Sequence, residues 1–452
     1  MFQEIHLFFT HLDTFFWGYV GFSLIMLLGV YFSFKTRFFQ IYSLPSIFKT
    51  FFHFLFQKEK SQDGIHPLRA FFASVGGMIG IGSVVGIVTA VQIGGPGALF
   101  WVWVATLFGS LIKYSEVFLG LKHRVPRPSG GFDGGPMFFL AKAFKNRFIP
   151  ILVACILCLY GIEIYQFSVI TSTIESNWDV NHYVAVGGLL AIVLYATLGG
   201  IKRVSRICSS VMPFFMLLYV IMSVWVILNN LNLLPSVILG VVESAFTGHA
   251  AVGGFAGSSA LLAIQHGMSR LSYSADLGIG YDSIIHSESS TTVPEKQARL
   301  AVLGVFLDSF MCTLSILLVL ISGVWMREDS IAASQLVQVA LSDYFPFMHI
   351  FMPCFLLILG YTTIIAYACI GMKCAKFLHP RHGMKIYLTY GVIAWLLSSF
   401  FDQTTALLIM SLAQGSLLLI NLTGLFKLRK EIVFSKSSNE MTPKLSEMEI
   451  AG

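Results

Sequence analysis

The chain has 452 residues, of which 56% are hydrophobic and only 12% charged, with a mean hydropathy of +0.77. That excludes an ordinary soluble domain, in which about a quarter of the residues carry charge. The net charge of +6 does not indicate nucleic acid either, because Lys and Arg fall in short clusters between apolar runs and no basic face is interleaved with stacking aromatics.

Apolar runs bounded by charge, Pro or Gly predict about eleven spans, over 15–34, 68–93, 95–121, 149–173, 183–200, 205–228, 236–268, 298–325, 345–378, 384–401 and 404–426. A helix needs ~20 mostly apolar residues to cross ~30 Å of hydrocarbon, whereas barrels show short alternating segments. An all-α polytopic membrane protein follows. The first run comes after acidic Glu4 and Asp13, with no basic leader and no small-residue cleavage site, so it is expected to persist as a spanning helix. Residues 35–64 alternate aromatics such as Phe38, Phe51 and Phe56 with Arg37, Lys49 and Lys58, the pattern of an interfacial helix on the cytoplasmic face. The seven cysteines lie in or beside apolar runs and are expected to be free thiols. From Ser435 onward the chain is polar and reads as a disordered tail.

An outside N-terminus places 27 of the 29 Lys and Arg on the cytoplasmic side, leaving Lys113 in a span and Arg327 outside. The positive-inside rule thus predicts a multi-pass protein of the plasma (inner) membrane with a cytoplasmic C-terminus. Lys113 and Glu116, at i and i+3, read as an intrahelical ion pair.

Two spans concentrate glycine at mid-membrane depth: the second, over Phe72 to Ser83, and the seventh, over Ala245 to Ser259. Close helix packing through small residues explains one such span. A broken helix, whose freed N–H and C=O groups hold substrate and ions, explains a pair of them, one opening spans 2–6 and the other spans 7–11. Sets of five insert inverted to one another, so the expected organisation is a first helix with its interfacial segment (1–66), two five-helix repeats (67–229 and 230–427) and a tail (428–452).

At these residues the sequence resembles the alanine or glycine:cation symporter family, the sodium:alanine symporters. The resemblance runs from about Pro67 to Phe426 and is carried by Gly94-Gly-Pro-Gly97 continuing to Ala105, by Lys113 and Glu116, by Gly134-Gly-Pro-Met137, by Ala245-Phe-Thr247 with Ala250 to Gly257, and by Gly304-Val-Phe-Leu-Asp308. It implies a core like that of the leucine transporter (LeuT-like), with the first unwound turn over Gly76 to Ser83, and symport of alanine or glycine with Na⁺ as coupling ion and no other cofactor.

Half-helix N-termini carry roughly +0.5 charge and free N–H groups, so the turn from Gly80 to Ser83 suits an amino-acid carboxylate. Carbonyls of about Thr247 to Phe255 are the expected ammonium acceptors, and Gly82 and Gly254 let backbone approach ligand. The substrate set is completed by Gly77, Met78 and Gly253 along the two glycine-rich turns, and by Gln166 and Tyr367, which the resemblance implies, with Phe255 and Tyr367 as lids. For Na⁺ the resemblance implies carbonyls of Gly76, Ile79 and Leu359 with hydroxyls of Thr362 and Thr363. A Thr pair in a membrane helix otherwise back-bonds to its own preceding turn.

The sequence departs from the family where ligands bind: Met78 and Ser83 stand for its usual Thr and Asn, Glu163 for Asn, Ser168 for Asn, Gly248-His249 for Pro-Thr, and Ala275-Asp276 for Asn-Glu. The alternative expectation is therefore a symporter of the same fold with another amino acid, or with H⁺ coupling through His249 and Glu163, since imidazole titrates near neutral pH. An intramembrane enzyme would need Ser258 or Ser259 with His249 or His266, and no HExxH pattern is present. Nothing in the sequence supports a nucleic-acid partner; the expected partners are a small amino acid, Na⁺ and lipid.

Overall fold

The computed structural model describes residues 2–56, 64–128, 130–247, 260–326 and 331–434. The first span is longer than its apolar core: α1 (Phe2–Phe15) runs through a π-helical stretch (Phe16–Gly21) into α2 (Phe22–Lys35). A short α3 (Phe39–Tyr42) leads to α4 (Leu44–Phe56), whose Ile47, Thr50 and Phe54 are buried while Phe48, Phe52, Leu55 and Phe56 are exposed. These two faces are those of an amphipathic helix with exposed aromatics.

The second span is broken where glycine concentrates. Helix α5 (Pro67–Met78) stops at Ile79 to Ile81, and the chain resumes as a π-helical turn (Gly82–Gly86) and α6 (Val88–Gly94), bent by 46° from α5. Then come α7 (Ala98–Lys122), a two-stranded antiparallel hairpin of β1 (Val125–Pro126) and β2 (Phe132–Asp133), and α8 (Pro136–Phe144). The fourth span is α9 (Phe148–Tyr160) and α10 (Ile164–Trp178), joined at Glu163 with φ +51°. Helices α11 (His182–Leu198) and α12 (Gly200–Asn229) complete the first set.

The seventh span is described only in part. Apolar α13 (Leu234–Thr247) covers 14 residues up to the edge of the undescribed stretch. The glycine-rich 248–259, with His249, Gly253, Gly254 and Phe255, lies outside the described residues. Next is α14 (Ala260–Ser274), and the discontinuity that faces the first break is at 275–280, ahead of α15 (Tyr281–Ser287). Here Asp276, Gly278 and Gly280 have φ of +49°, +78° and +83°, left-handed values that a helix cannot contain and that two glycines adopt freely. The chain continues as α16 (Pro294–Ser322), α17 (Ala333–Ser342), α18 (Met348–Leu378), α19 (Gly383–Ser398) and α20 (Gln403–Lys427).

Among the described residues seven helices are long and apolar enough to cross a membrane, and the bent α5/α6 pair makes eight. The expected eleven is not reached on this criterion; shorter apolar helices among the described residues are α4, α11 and α13. All seven cysteines are free.

Lys113, fully buried on α7, does not pair with Glu116 as expected. Its Nζ lies 2.7 Å from Asp282 Oδ2 on α15 and donates to the Asp276 carbonyl at 2.5 Å. Ser74 on α5 donates to the other oxygen of Asp282 at 2.7 Å. Glu116 instead accepts the Gly280 N–H at 2.9 Å and the Asn421 amide. A helix presents both side chains on one face, but an unwound segment offers a lysine a carbonyl and a carboxylate at once. Arg270, counted above with the cytoplasmic cations, lies on α14, in the half of the seventh span that precedes the break.

Replacing Lys113 with Met leaves Asp282 buried without its cation, which is expected to cost about 3–5 kcal/mol. The melting temperature of the detergent-solubilised protein should fall, and pairing with Asp282→Asn should recover part of the loss. An unchanged melt for Lys113→Met would refute the pairing.

Candidate functional site

The two breaks meet between α10 and α18. The N–H of Ile81, freed by the first break, donates to Gln166 Oε1 at 3.0 Å, and Gly80 is walled in by two side chains. A Cβ on Gly80 would lie 2.4 Å from Thr363 Oγ1 and 2.8 Å from Gln166 Oε1, so only glycine fits. Gly77 is closed off in the same way by the Tyr281 hydroxyl, and Gly82 faces Tyr273 and Ser274, with a Cβ there in ordinary contact at 3.4–3.5 Å. Met78 is buried, with its side chain over Gly304 of α16.

Four of the five expected Na⁺ ligands are brought together. Thr363 Oγ1 is 3.2 Å from the Gly76 carbonyl oxygen and 3.1 Å from that of Leu359. Thr362 Oγ1 is 2.8 Å from the same Leu359 oxygen, but it also contacts Ile358 O at 3.1 Å and Met212 Sδ at 3.2 Å. Both threonines thus back-bond to their own helix, and Thr363 alone also reaches across to α5. A hydroxyl has one proton to give and two lone pairs, so Thr363 can satisfy one carbonyl and still offer oxygen to a cation. Ile79 is buried at the end of α5 with its N–H bonded to Val75 O at 2.7 Å.

Ser83 belongs to a second polar cluster. Its Oγ donates to Asp308 Oδ1 at 2.6 Å and lies 2.9 Å from Ser274 Oγ, which is itself 2.8 Å from Asp308 Oδ1. Tyr367 sits under the breaks: its ring stacks on Tyr281 with centroids 3.9 Å apart, and its hydroxyl donates to Asp276. Glu163 accepts from the Tyr273 hydroxyl at 3.0 Å, so the first turn of α10 reaches the first break through Gln166 and the last turn of α14 through Glu163.

Thr247 is not at this site. It is exposed at the end of α13, with its hydroxyl bonded to Glu243 O at 2.7 Å. Among the described residues the backbone opposite the first break is 275–280, while 248–255 lies outside them. Tyr273, Ser274, Tyr281 and Asp282 were not singled out from the sequence. Their signal is Asp276-Leu-Gly-Ile-Gly280, two glycines between acidic residues, which reads as a loop unless its depth in the bundle is known.

A helical bundle that sets two broken helices against each other around buried backbone freed from its helices has the architecture of the LeuT-like secondary transporters. It shares its fold with MhsT, solved in complex with L-phenylalanine, at a TM-score of 0.59 and 11% identity over 86% of this chain and 95% of that one. The sequence profile of the sodium:alanine symporter family matches residues 2–446, and the chain belongs to that family. Relatives include an uncharacterized transporter of Haemophilus influenzae, 30% identical over 93% of each chain, and the sodium/alanine symporter AgcS of Methanococcus maripaludis, 28% identical over 95% of this chain and 96% of its own. The protein is accordingly a multi-pass amino-acid transporter and not an enzyme. Of the residues an enzyme reading would need, His249, Ser258 and Ser259 lie outside the described residues.

Gly80→Ala forces a methyl group against Thr363 and Gln166. Uptake by reconstituted protein is expected to fall at least about tenfold, the effect of ~1.4 kcal/mol at the site, with membrane insertion and yield unchanged. Wild-type uptake in the alanine variant would show that the turn has room to spare.

Proposed function

We propose that the protein carries a small neutral amino acid, alanine or glycine, into the cell together with Na⁺. The observation that carries this reading is the approach of Thr363 Oγ1 to the Gly76 and Leu359 carbonyls across the first break. Na⁺ entering a dry bundle gives up its water and needs hard oxygens in exchange, and a broken helix supplies them without adding a charge. The ion ties α5 to α18. The substrate carboxylate takes the N–H groups of Gly80 to Ser83, and Gln166 surrenders Ile81 as it binds. Close packing of Thr363 and Gln166 against Gly80 supports a small substrate. In this reading the ammonium group goes to carbonyls of 275–280, the chain that faces the turn, and the two repeats begin at the two broken helices.

A second reading, H⁺ in place of Na⁺, draws on Glu163, which is buried, bonded to Tyr273 and in no salt bridge among the described residues. An isolated carboxylate at membrane depth is a default proton-carrier hypothesis.

Proteoliposomes with an imposed Na⁺ or H⁺ gradient and labelled amino acids separate the two readings. Thr363→Val keeps shape and removes the oxygen, so it should raise the Na⁺ concentration for half-maximal uptake roughly tenfold, or ~1.4 kcal/mol, while Thr363→Ser changes it little. Equal Na⁺ dependence of the two variants, or uptake driven by a proton gradient without Na⁺, would overturn the assignment. For the topology, with the N-terminus outside and the C-terminus cytoplasmic, a reporter fused at Asn177 should read external and one truncated after Phe434 internal; the reverse at either would reject it.

A further inference from the structure

Below the breaks, on the face that carries the basic hairpin, lies a cavity of about 690 Å³ whose lining includes Arg127, Asp133, Glu288, Cys369, Lys373 and Lys376. Glu288 is the residue after α15 and its side chain is only 2% exposed. Arg127 Nη2 lies 2.7 and 2.9 Å from its two carboxylate oxygens, and Lys373 Nζ lies 2.5 Å from Oε1. The Phe132 N–H adds a contact at 3.3 Å, and Asp133 faces both cations at 3.5 and 3.9 Å.

The two sides of this cluster are tied to different parts of the bundle. The backbone around Glu288 is fixed to α5 and α7: Arg124, just past α7, donates to the carbonyls of Ser287, Ser289 and Thr291 at 2.9, 2.6 and 2.8 Å. Ile65, just ahead of α5, exchanges two backbone bonds of 2.8 Å with Glu288 and Ser290. Lys373 is on α18, about 15 Å of helix below Thr363. The Glu288–Lys373 pair is therefore a strut between α18 and the α5/α7/α15 group, and the stacked Tyr281–Tyr367 pair spans the same two groups nearer the breaks. Buried ion pairs suit a joint that must part. Their attraction in the dry state is set against the hydration both ions regain in water, so closed and open arrangements lie close in free energy.

We propose that this cavity is the cytoplasmic exit of the transport path and that Glu288, clamped between Arg127 and Lys373, is the latch that holds it shut. Cargo and ion leave only when the Glu288–Lys373 pair separates. The inference rests on the transporter reading and on this face being cytoplasmic, and it is independent of which amino acid or cation is carried.

Cys369 lines the cavity and is 3% exposed, so it reports on the latch directly. With Cys369 as the sole cysteine, inside-out vesicles are treated with a charged, membrane-impermeant maleimide. Glu288→Gln and Lys373→Gln should each speed labelling about tenfold by shifting the population towards open, and Lys373→Arg, which keeps the charge, should label at the reference rate. Gln variants that label at the reference rate while remaining monodisperse in detergent would overturn the latch. Faster labelling from right-side-out vesicles would overturn the exit assignment. If the Gln variants do not fold, Glu288→Cys with Lys373→Cys in a cysteine-free chain gives a second route. Oxidation with copper phenanthroline should join the two thiols and stop uptake, and a reductant should restore it; uptake that persists in the oxidised protein would reject the latch. Labelling that responds as expected in a protein that moves no alanine or glycine would remove the substrate assignment and leave the latch standing.

Discussion

Inside a bilayer there is no water to satisfy a backbone group that a helix has let go. Each break in this protein is therefore an obligation that side chains from elsewhere must meet. Gln166 takes the N–H of Ile81, Thr363 reaches the carbonyl of Gly76, Glu116 takes the N–H of Gly280, and Lys113 takes the carbonyl of Asp276. Three of these four partners sit on other spans that are nearly unbroken there, so the breaks are held by rigid neighbours.

The acidic residues follow from this arrangement. Asp276, Asp282, Glu116, Glu163 and Asp308 are buried close to the breaks, and Lys113 is the cation placed among them. Hydroxyls do much of the compensation: Tyr367 for Asp276, Tyr273 for Glu163, Ser83 and Ser274 for Asp308. Hydroxyls hold a carboxylate in place without neutralising it.

Much of the architecture was legible in the sequence because hydropathy and glycine act locally. The first break shows in the run from Gly76 to Ser83, where four glycines occupy a span. The glycine run read as the second break, 248–259, lies outside the described residues, while the discontinuity at 275–280 is hidden in the sequence because Asp276 and Asp282 make it look like a loop. Lys113 was assigned to Glu116 because spacing along a helix is visible and tertiary partners are not; Asp282 becomes available only when the chain unwinds at 275–280. Likewise Thr363 and Thr362 are equivalent in sequence, and it is the neighbour on each side, α5 for one and Met212 of α12 for the other, that distinguishes them.

Helix α4 has a consequence beyond anchoring. Its aromatics Phe48, Phe52 and Phe56 are exposed, while Phe51 packs edge-on against Phe71 of α5, with ring centroids 5.8 Å apart. A helix with one face exposed and the other packed on a broken helix couples that surface to the break. Any displacement of α4 is thus passed through Phe51 and Phe71 to α5, the helix that ends at the first break.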